Sequence, residues 1–528
     1  MRAFDLPGRS PVIAENGMAA TSHPLATATA ISILKEGGNA VDAAVAAAAT
    51  LCVVEPHMTG IGGDCFVILA EPDGAIHGLN GSGRAPAGAD AAWYRDNGHT
   101  KMPQSGAHSV TVPGAVDAWS RLLAKHGTLG FDRLFADAIS YAEGGFAVHG
   151  RVATDWAKAV DALGADEGGR AHCLISGKSP AHGSRFRFPA LGGTLKAIAK
   201  GGAKAFYEGE VAAEIVATVQ SRGGFMSEAD LAAVEAEWVT PISTSYGGHD
   251  VLEIPPSGQG ITALILLRLM AKLETGKLEP GSAMRRHLEI EAGRLAYSVR
   301  DHLVSDPATM TRTPDELLSD RFIDALAAQV SRDKRNPSIT IPDMPRASTI
   351  YLTVVDKDHR AVSFINSVYA SFGAKLVTLK SGVALQNRGG CFTIEEGHPN
   401  ELRGGKRPMH TIIPAMALKD GKPAVSFGVM GGDYQPMGHA HVFSNLVDYG
   451  MDPQEALDHP RLFWGEDGVL EAEQGISDDV RATLSDMGHE VRAASAPHGG
   501  GQMISIDRES GFLIGASDPR KDGCALGW

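Results

Sequence analysis

No stretch of this chain is long and apolar enough to cross a bilayer. The greasiest segment, Ala40 to Val54, is dominated by alanine, contains Asp42 and falls short of the roughly 20 residues a membrane helix needs. Met1 to Ala20 lacks the apolar core of about 7–15 residues that a secretory signal carries, so no export signal is expected. Cysteine is scarce: Cys52, Cys65, Cys173, Cys391 and Cys524 are scattered, odd in number and without paired metal-ligand spacing. They read as reduced thiols, and the expected location is cytoplasmic. Positive charge is also in deficit, with 48 Lys and Arg against 62 Asp and Glu and a formal charge of −14. That balance excludes nucleic acid and an anionic membrane surface as the natural partners. No internal repeat, no low-complexity tract and no phosphate-binding GxGxxG or GxxxxGK spacing is present.

Glycine, by contrast, is abundant at 63 of 528 residues, which promises tight turns and backbone-lined sites. The length suits two to four domains or one large core built from layered halves. Helical spacing runs from Pro24 to Glu36, and Asn39 with Asp42 three residues on reads as the start of a second helix, to about Val54. The latter is apolar all round and is expected to be buried on every side. Glycines 60, 62 and 63 then lead into a strand, Cys65 to Ala70; tight packing explains them, and His57 and Asp64 beside them read as structural. Further helices are expected from Gly114 to about Lys125, over 131–143, after Ser227, over 261–273 and over 282–303. Strands flank Gly247-Gly248. Residues 331–347, with three prolines, form the best linker. Beyond it strands dominate, at 411–418, 424–429, 502–507 and 512–516, with helices near 439–448 and 453–458. His439 and His441, two apart on a helix, point to different faces and make no metal pair.

Arg346 to Gly373 reads as a hairpin: an alternating strand from Thr349, a turn at Asp356 to His359, and a second strand from Ala361 to Tyr369. By itself this pattern is structural. The wider chain changes its meaning. The runs GGNAVDAAVAAAATLCVVEPHMTGIGGD (37–64), SVTVPGAVDAW (109–119) and PPSGQG (255–260) precede the hairpin. After it come NRGGCF (387–392), KRPMHTIIPAM (406–416), MGGD (430–433) and GASDPR (515–520). Together with TIYLTVVDKDHRAVS (349–363), in this order, they resemble the γ-glutamyltranspeptidase family of N-terminal nucleophile hydrolases. The resemblance is closest to the branch that includes oxamate amidohydrolases.

That resemblance implies an α+β fold, a four-layer αββα sandwich of two stacked, mainly antiparallel sheets flanked by helices. It implies a precursor that cuts itself between Ser348 and Thr349 into a large subunit, 1–348, and a small one, 349–528, both contributing to one integrated fold. A freed Thr349 then carries its own base, since an α-amine has a reference pKa of about 7.7–8.0. By motif position Gly431 and Gly432 supply oxyanion N–H groups, and Ser367 is the second hydroxyl beside the nucleophile. The implied partners are a small-molecule amide, water and the companion subunit, with a homodimer of processed heterodimers left open. No cofactor and no metal are implied.

The departures from the family pattern all fall in the shell that recognises a γ-glutamyl group. Ser82 stands where the family has an Arg, Cys391 where it has an acid, Tyr369 where it has an Asn, and His410-Thr411 where it has paired serines. Losing both charge partners costs several kcal/mol of binding for a zwitterionic substrate, about 2–5 for each buried pair. Arg84, Arg388 and His410, with Tyr369, Thr411 and Asp433, are left to hold a smaller anionic acyl group. The leading expectation is therefore an amidohydrolase for a short carboxylate-bearing amide such as oxamate. Two alternatives stand beside it: a γ-glutamyl hydrolase or transpeptidase acting on glutathione-type donors, and an unprocessed protein that only binds a ligand or partner.

Overall fold

The computed structural model describes residues 8–339, 348–465 and 467–528. Two seven-stranded sheets make its centre, and every pairing within them is antiparallel. One sheet runs in the order Cys524–Gly527, Gly17–Thr21, Ser348–Asp356, Ala361–Tyr369, Asp64–Ala70, Ile76–Gly81, Glu237–Val239. The other runs Val12–Ala14, Leu513–Ser517, Gly500–Ile506, Lys422–Met430, Ala415–Lys419, His249–Glu253, Ile242–Tyr246. Each sheet mixes strands from before and after residue 348. The expected αββα architecture is thus present.

The sheets stack through small and polar inner residues. Thr353 and Ser426 hydroxyls meet at 2.6 Å across the interface. Gly428 lies against the Tyr351 ring, where an added Cβ would sit 2.4 Å from a ring carbon. Gly428→Ala must therefore push the sheets apart or displace Tyr351. We expect it to cost about 1–3 kcal/mol, read as a lower urea midpoint at unchanged m-value.

On one outer face lie the helices Pro24–Lys35 and Ala40–Val54. Asn39 caps the second with its side chain, and Asp42 completes a capping box, so local chemistry sets where this helix starts. All fifteen of its residues are buried. On the other face pack Gly260–Lys272, Ala283–Leu303 and Gln435–Tyr449. Among the described residues no helix is long and apolar enough to cross a membrane.

Local expectations fared unevenly. The hairpin and the helix starts at Asn39 and Ser227 are where the spacing predicts, each start closed by a capping box. The strand expected from Thr411 begins only at Ala415. Its first N–H groups are diverted: Ile412 donates to His410 Nδ1 at 3.3 Å and Ile413 to Gln435 Oε1 at 3.0 Å. The linker expected at 331–347 has no helix or strand over 331–339, and 340–347 lie outside the described residues. Its described part is pinned: Arg294 donates to the Asn336 carbonyl at 3.0 Å and Glu291 accepts the Asn336 N–H at 2.7 Å.

Candidate active site

Thr349 is the second residue of its strand and fully buried. The ladder to the next strand slips beside it: Ser348 pairs with Tyr369 but Ile350 with Asn366, so Ser367 and Val368 bulge opposite Thr349. Tyr369 ends the bulge with a φ of 76°, in the left-handed region. The distortion brings Ser367 Oγ beneath the Ser348–Thr349 peptide. Thr349 Oγ1 donates to Ser367 Oγ at 3.3 Å, and Ser367 Oγ donates to the Ser348 carbonyl at 2.8 Å. The Tyr369 N–H donates to Ser367 Oγ at 2.8 Å, and Gln435 Nε2 donates to Thr349 Oγ1 at 3.5 Å. The Thr349 hydroxyl, the Ser367 hydroxyl and the Ser348 carbonyl are therefore in one chain of contacts.

The glycine loop supports this geometry from below. A Cβ on Gly63 would lie 2.2 Å from the Ser367 carbonyl oxygen, and one on Gly62 would lie 2.3 Å from that of Ala384. Tight packing, as expected, is what these glycines serve. Asp64 is the hub next to them: its carboxylate accepts from the Gly83 and Gly114 N–H groups, from Gln386 and from His410 Nε2 at 2.9 Å.

Arg388 and Thr349 both donate to the Ser367 hydroxyl. Wholly buried, Arg388 donates to Thr411 Oγ1 at 2.7 Å and to Ser367 Oγ at 3.3 Å, and the Tyr369 ring covers it at 4.4 Å. Cys391 Sγ sits 3.8 Å from the same guanidinium, and burial raises its thiol pKa above the ordinary range. No carboxylate lies within ion-pair distance of Arg388 among the described residues, and its Nε has no partner.

Gly431 and Gly432 turn the chain from a sheet strand toward the helix Gln435–Tyr449 with φ of 127° and 60°. These are angles that suit glycine. No turn or loop hydrogen bond among the described residues uses either N–H. Asp433 follows, with Oδ1 held by Arg300 at 2.6 Å and Oδ2 buried without a partner. Gln259 braces this turn, donating to the carbonyls of Gly432 at 3.0 Å and Thr411 at 2.7 Å.

Two cavities open here, and Asp433 borders both. One of about 440 Å³ is lined by Tyr369, Cys391, Gln104, Arg300 and Asp301. The other, about 340 Å³, is lined by Ser348, Gly431, Lys375 and Trp464. Burial lowers the Lys375 ammonium pKa to about 8.

Two residues expected to hold an acyl anion are engaged elsewhere. Arg84 is half-exposed and donates to Glu237 at 2.8 Å and to the Gly405 carbonyl at 3.0 Å. His410 is fully buried with both nitrogens occupied, and burial pushes its pKa down to about 4. It braces Asp64 as a neutral ring. Ser82 is buried, with its carbonyl taken by Arg407 at 3.0 Å. Gln435, Gln259 and Arg300 escaped sequence reasoning; only Gln259 sits inside a recognised motif, PPSGQG. His439 and His441 diverge, to Glu253 and to Arg286 respectively.

Residues 26–528 match the family model described as Gamma-glutamyltranspeptidase. The chain is 36% identical over 529 residues to the glutathione hydrolase-like YwrD proenzyme of Bacillus subtilis, covering 98% of this chain and 99% of the relative. It is 34% identical over 531 residues to the oxamate amidohydrolase proenzyme of Klebsiella pneumoniae, again covering 98% and 99%. Among solved structures, a cephalosporin acylase from Bacillus halodurans superposes with a TM-score of 0.93 at 37% identity, covering 100% of this chain and 99% of its own.

Proposed function

The chain belongs to the γ-glutamyltranspeptidase family of amide-cleaving proenzymes, and from that premise we propose that it is a self-cleaving threonine amidohydrolase for a short, carboxylate-bearing acyl group. The observation that carries this reading is Arg388: a buried cation without a counter-ion among the described residues, one hydroxyl away from Thr349. Leaving such a charge unpaired is costly, and a substrate carboxylate would complete the pair.

The reaction begins with the chain itself. Thr349 Oγ1 attacks the Ser348 carbonyl, whose oxygen Ser367 already holds, and the peptide nitrogen becomes the leaving amine. Water then cleaves the ester, releasing Ser348 as a carboxylate and Thr349 as a free N-terminus. In the mature site the α-amine takes the Thr349 hydroxyl proton as Oγ1 attacks the substrate amide. The tetrahedral oxyanion faces the N–H groups of Gly431 and Gly432. Collapse sends the proton to the departing nitrogen, and water resolves the acyl-Thr349 ester. With five free thiols, the reducing cytoplasm is the setting we propose for it.

Gly431→Ala tests the oxyanion role. Its Cβ would lie 2.8 Å from Gly499 Cα, so the turn must move. Turnover is expected to fall about 10²–10³-fold with the self-cleaved form still accumulating. The substrate is tested by assaying ammonia from oxamate. Release no faster than by a Thr349→Ala control removes oxamate from the reading.

One observation favours a second reading, γ-glutamyl hydrolysis or transfer. Asp433 Oδ2 and Asp301 Oδ2 are both buried without partners beside the larger cavity and would suit an α-ammonium group. Turnover of a γ-glutamyl anilide at rates above that of oxamate would establish it.

A further inference from the structure

At the end of the Thr349-bearing sheet away from the nucleophile, three metal-ligating side chains converge. Glu71 follows the strand Asp64–Ala70, His77 lies on Ile76–Gly81, and His126 ends the helix Ala115–His126. The hairpin register sets Leu69 opposite His77, close to Glu71, and the helix terminus delivers His126 over both. One ligand atom from each of the three lies within 4.8 Å of the other two.

Three features separate this cluster from an ordinary polar surface. The His126 side chain is only 7% exposed, yet its Nε2 is buried with no partner. Its Nδ1 meets Glu71 Oε1 at 2.6 Å, while Arg360 Nε donates to the other oxygen, Oε2, at 2.7 Å. That outer contact orients the carboxylate in the way the supporting shell of a metal site does. Finally, the His77 and His126 rings are 4.8 Å apart.

We propose that Glu71, His77 and His126 bind one divalent transition-metal ion of the zinc type, with water completing the coordination. Two imidazoles and one carboxylate suit Zn²⁺, Ni²⁺ or Cu²⁺ and disfavour Mg²⁺ and Ca²⁺, which take oxygen ligands. Lys125, stacked on Trp238 at 4.4 Å, and Arg360, bound to Glu71, place positive charge beside the ion and weaken its binding. Bound metal would clamp the 71–76 hairpin to the helix end. The mature site of Thr349 lies at the other end of the sheet, where Asp64 and not Ala70 pairs with the second strand near Ser367.

Trp238 supplies the readout, with its ring 5.3 Å from His126 and 6.2 Å from His77. Titrating the purified full-length protein with Ni²⁺ should quench tryptophan fluorescence saturably, at one ion per chain, and Zn²⁺ should reverse the quench by competition. His77→Ala and the milder His77→Gln should each weaken binding about 10–100-fold. Trp238→Phe should remove the signal while equilibrium dialysis still finds the ion. Self-cleavage, followed by intact mass, should be unchanged in the His77 variants. Absence of saturable Ni²⁺ binding up to millimolar concentration, or equal affinity in wild type and both His77 variants, overturns the site.

Discussion

A Thr349→Ala chain is expected to remain one species of 55.4 kDa, to show no time-dependent cleavage and to release no product from any amide. This is the largest effect we foresee, because a single oxygen is assigned to two reactions. In the proposed mechanism Thr349 Oγ1 opens the Ser348 peptide, and the α-amine this would free is the base for every later turnover. Thr349→Ser keeps the oxygen and should still cut, more slowly, since the β-methyl that limits the rotamer is lost. Intact mass spectrometry over a day at room temperature reads all three proteins. Cleavage of the alanine variant at the same bond would remove Thr349 from both roles. A wild-type chain that never splits would instead favour a protein that only binds a ligand. Ser367→Ala separates the steps further: it removes the donor to the Ser348 carbonyl and should slow cutting while leaving the fold intact.

The second large effect is acid sensitivity. Burial lowers the pKa of His23, His57 and His489 to about 3 each and that of His410 to about 4. His441 and His459, which touch, fall to about 3 and about 2 and count as one coupled pair. A histidine held neutral in the fold titrates near 6.5 once unfolded. The unfolded chain therefore gains protons as pH falls below 6.5 and the fold does not, until about pH 4 or lower. Stability is fully present above about pH 6.5 and is lost through the window from 6.5 down to 4. Each such group costs about 2.7 kcal/mol by pH 4.5, so three acting independently remove about 8 kcal/mol, comparable with a domain's whole stability. Glu55 works the other way: burial raises its pKa to about 7, so its protonation between 7 and 4.5 returns part of the loss. His439 is set aside because its partner Glu253 is raised by burial while it is lowered, so the two act in opposite directions. Thermal midpoints should fall steeply between pH 6.5 and 4.5. A flat profile would mean that these rings are hydrated in solution.

What the sequence made legible was whatever local chemistry decides. Alternation marks Thr349 to Tyr369 as a hairpin, and Asn39 with Asp42 marks a helix start; both are local choices that the fold leaves in place. The bulge at Ser367 is different, because it comes from packing against Gly63 and Gly60, some 300 residues away in sequence. The short helices Gly150–Ala157, Val160–Ala165 and Glu167–Cys173 were hidden for a related reason. Gly164, Gly168 and Gly169 argue against helix locally, while Gly168 is required by the Val377 carbonyl, 1.8 Å from where a Cβ would be. In the site, residue type pointed to Arg84 and Arg388 equally. Only the fold reveals that Glu237 occupies the first and that, among the described residues, nothing acidic occupies the second. His410 looked like an anion ligand because imidazole can serve as one; its burial against Asp64 gives it bracing work.

The interleaving of strands has a consequence for molecularity. The Ser348–Asp356 and Ala361–Tyr369 strands lie between Gly17–Thr21 and Asp64–Ala70, so each side of the proposed cut completes the other's sheet. Before the cut, folding is a one-chain reaction whose rate does not depend on dilution. Afterwards the same architecture is a two-chain complex, and a denatured sample must find its partner again by diffusion, with the exposed edges of both pieces competing for other chains. Maturation would thus make the protein active and also end its ability to refold from dilute solution. Its working lifetime would then be set by how slowly it first comes apart.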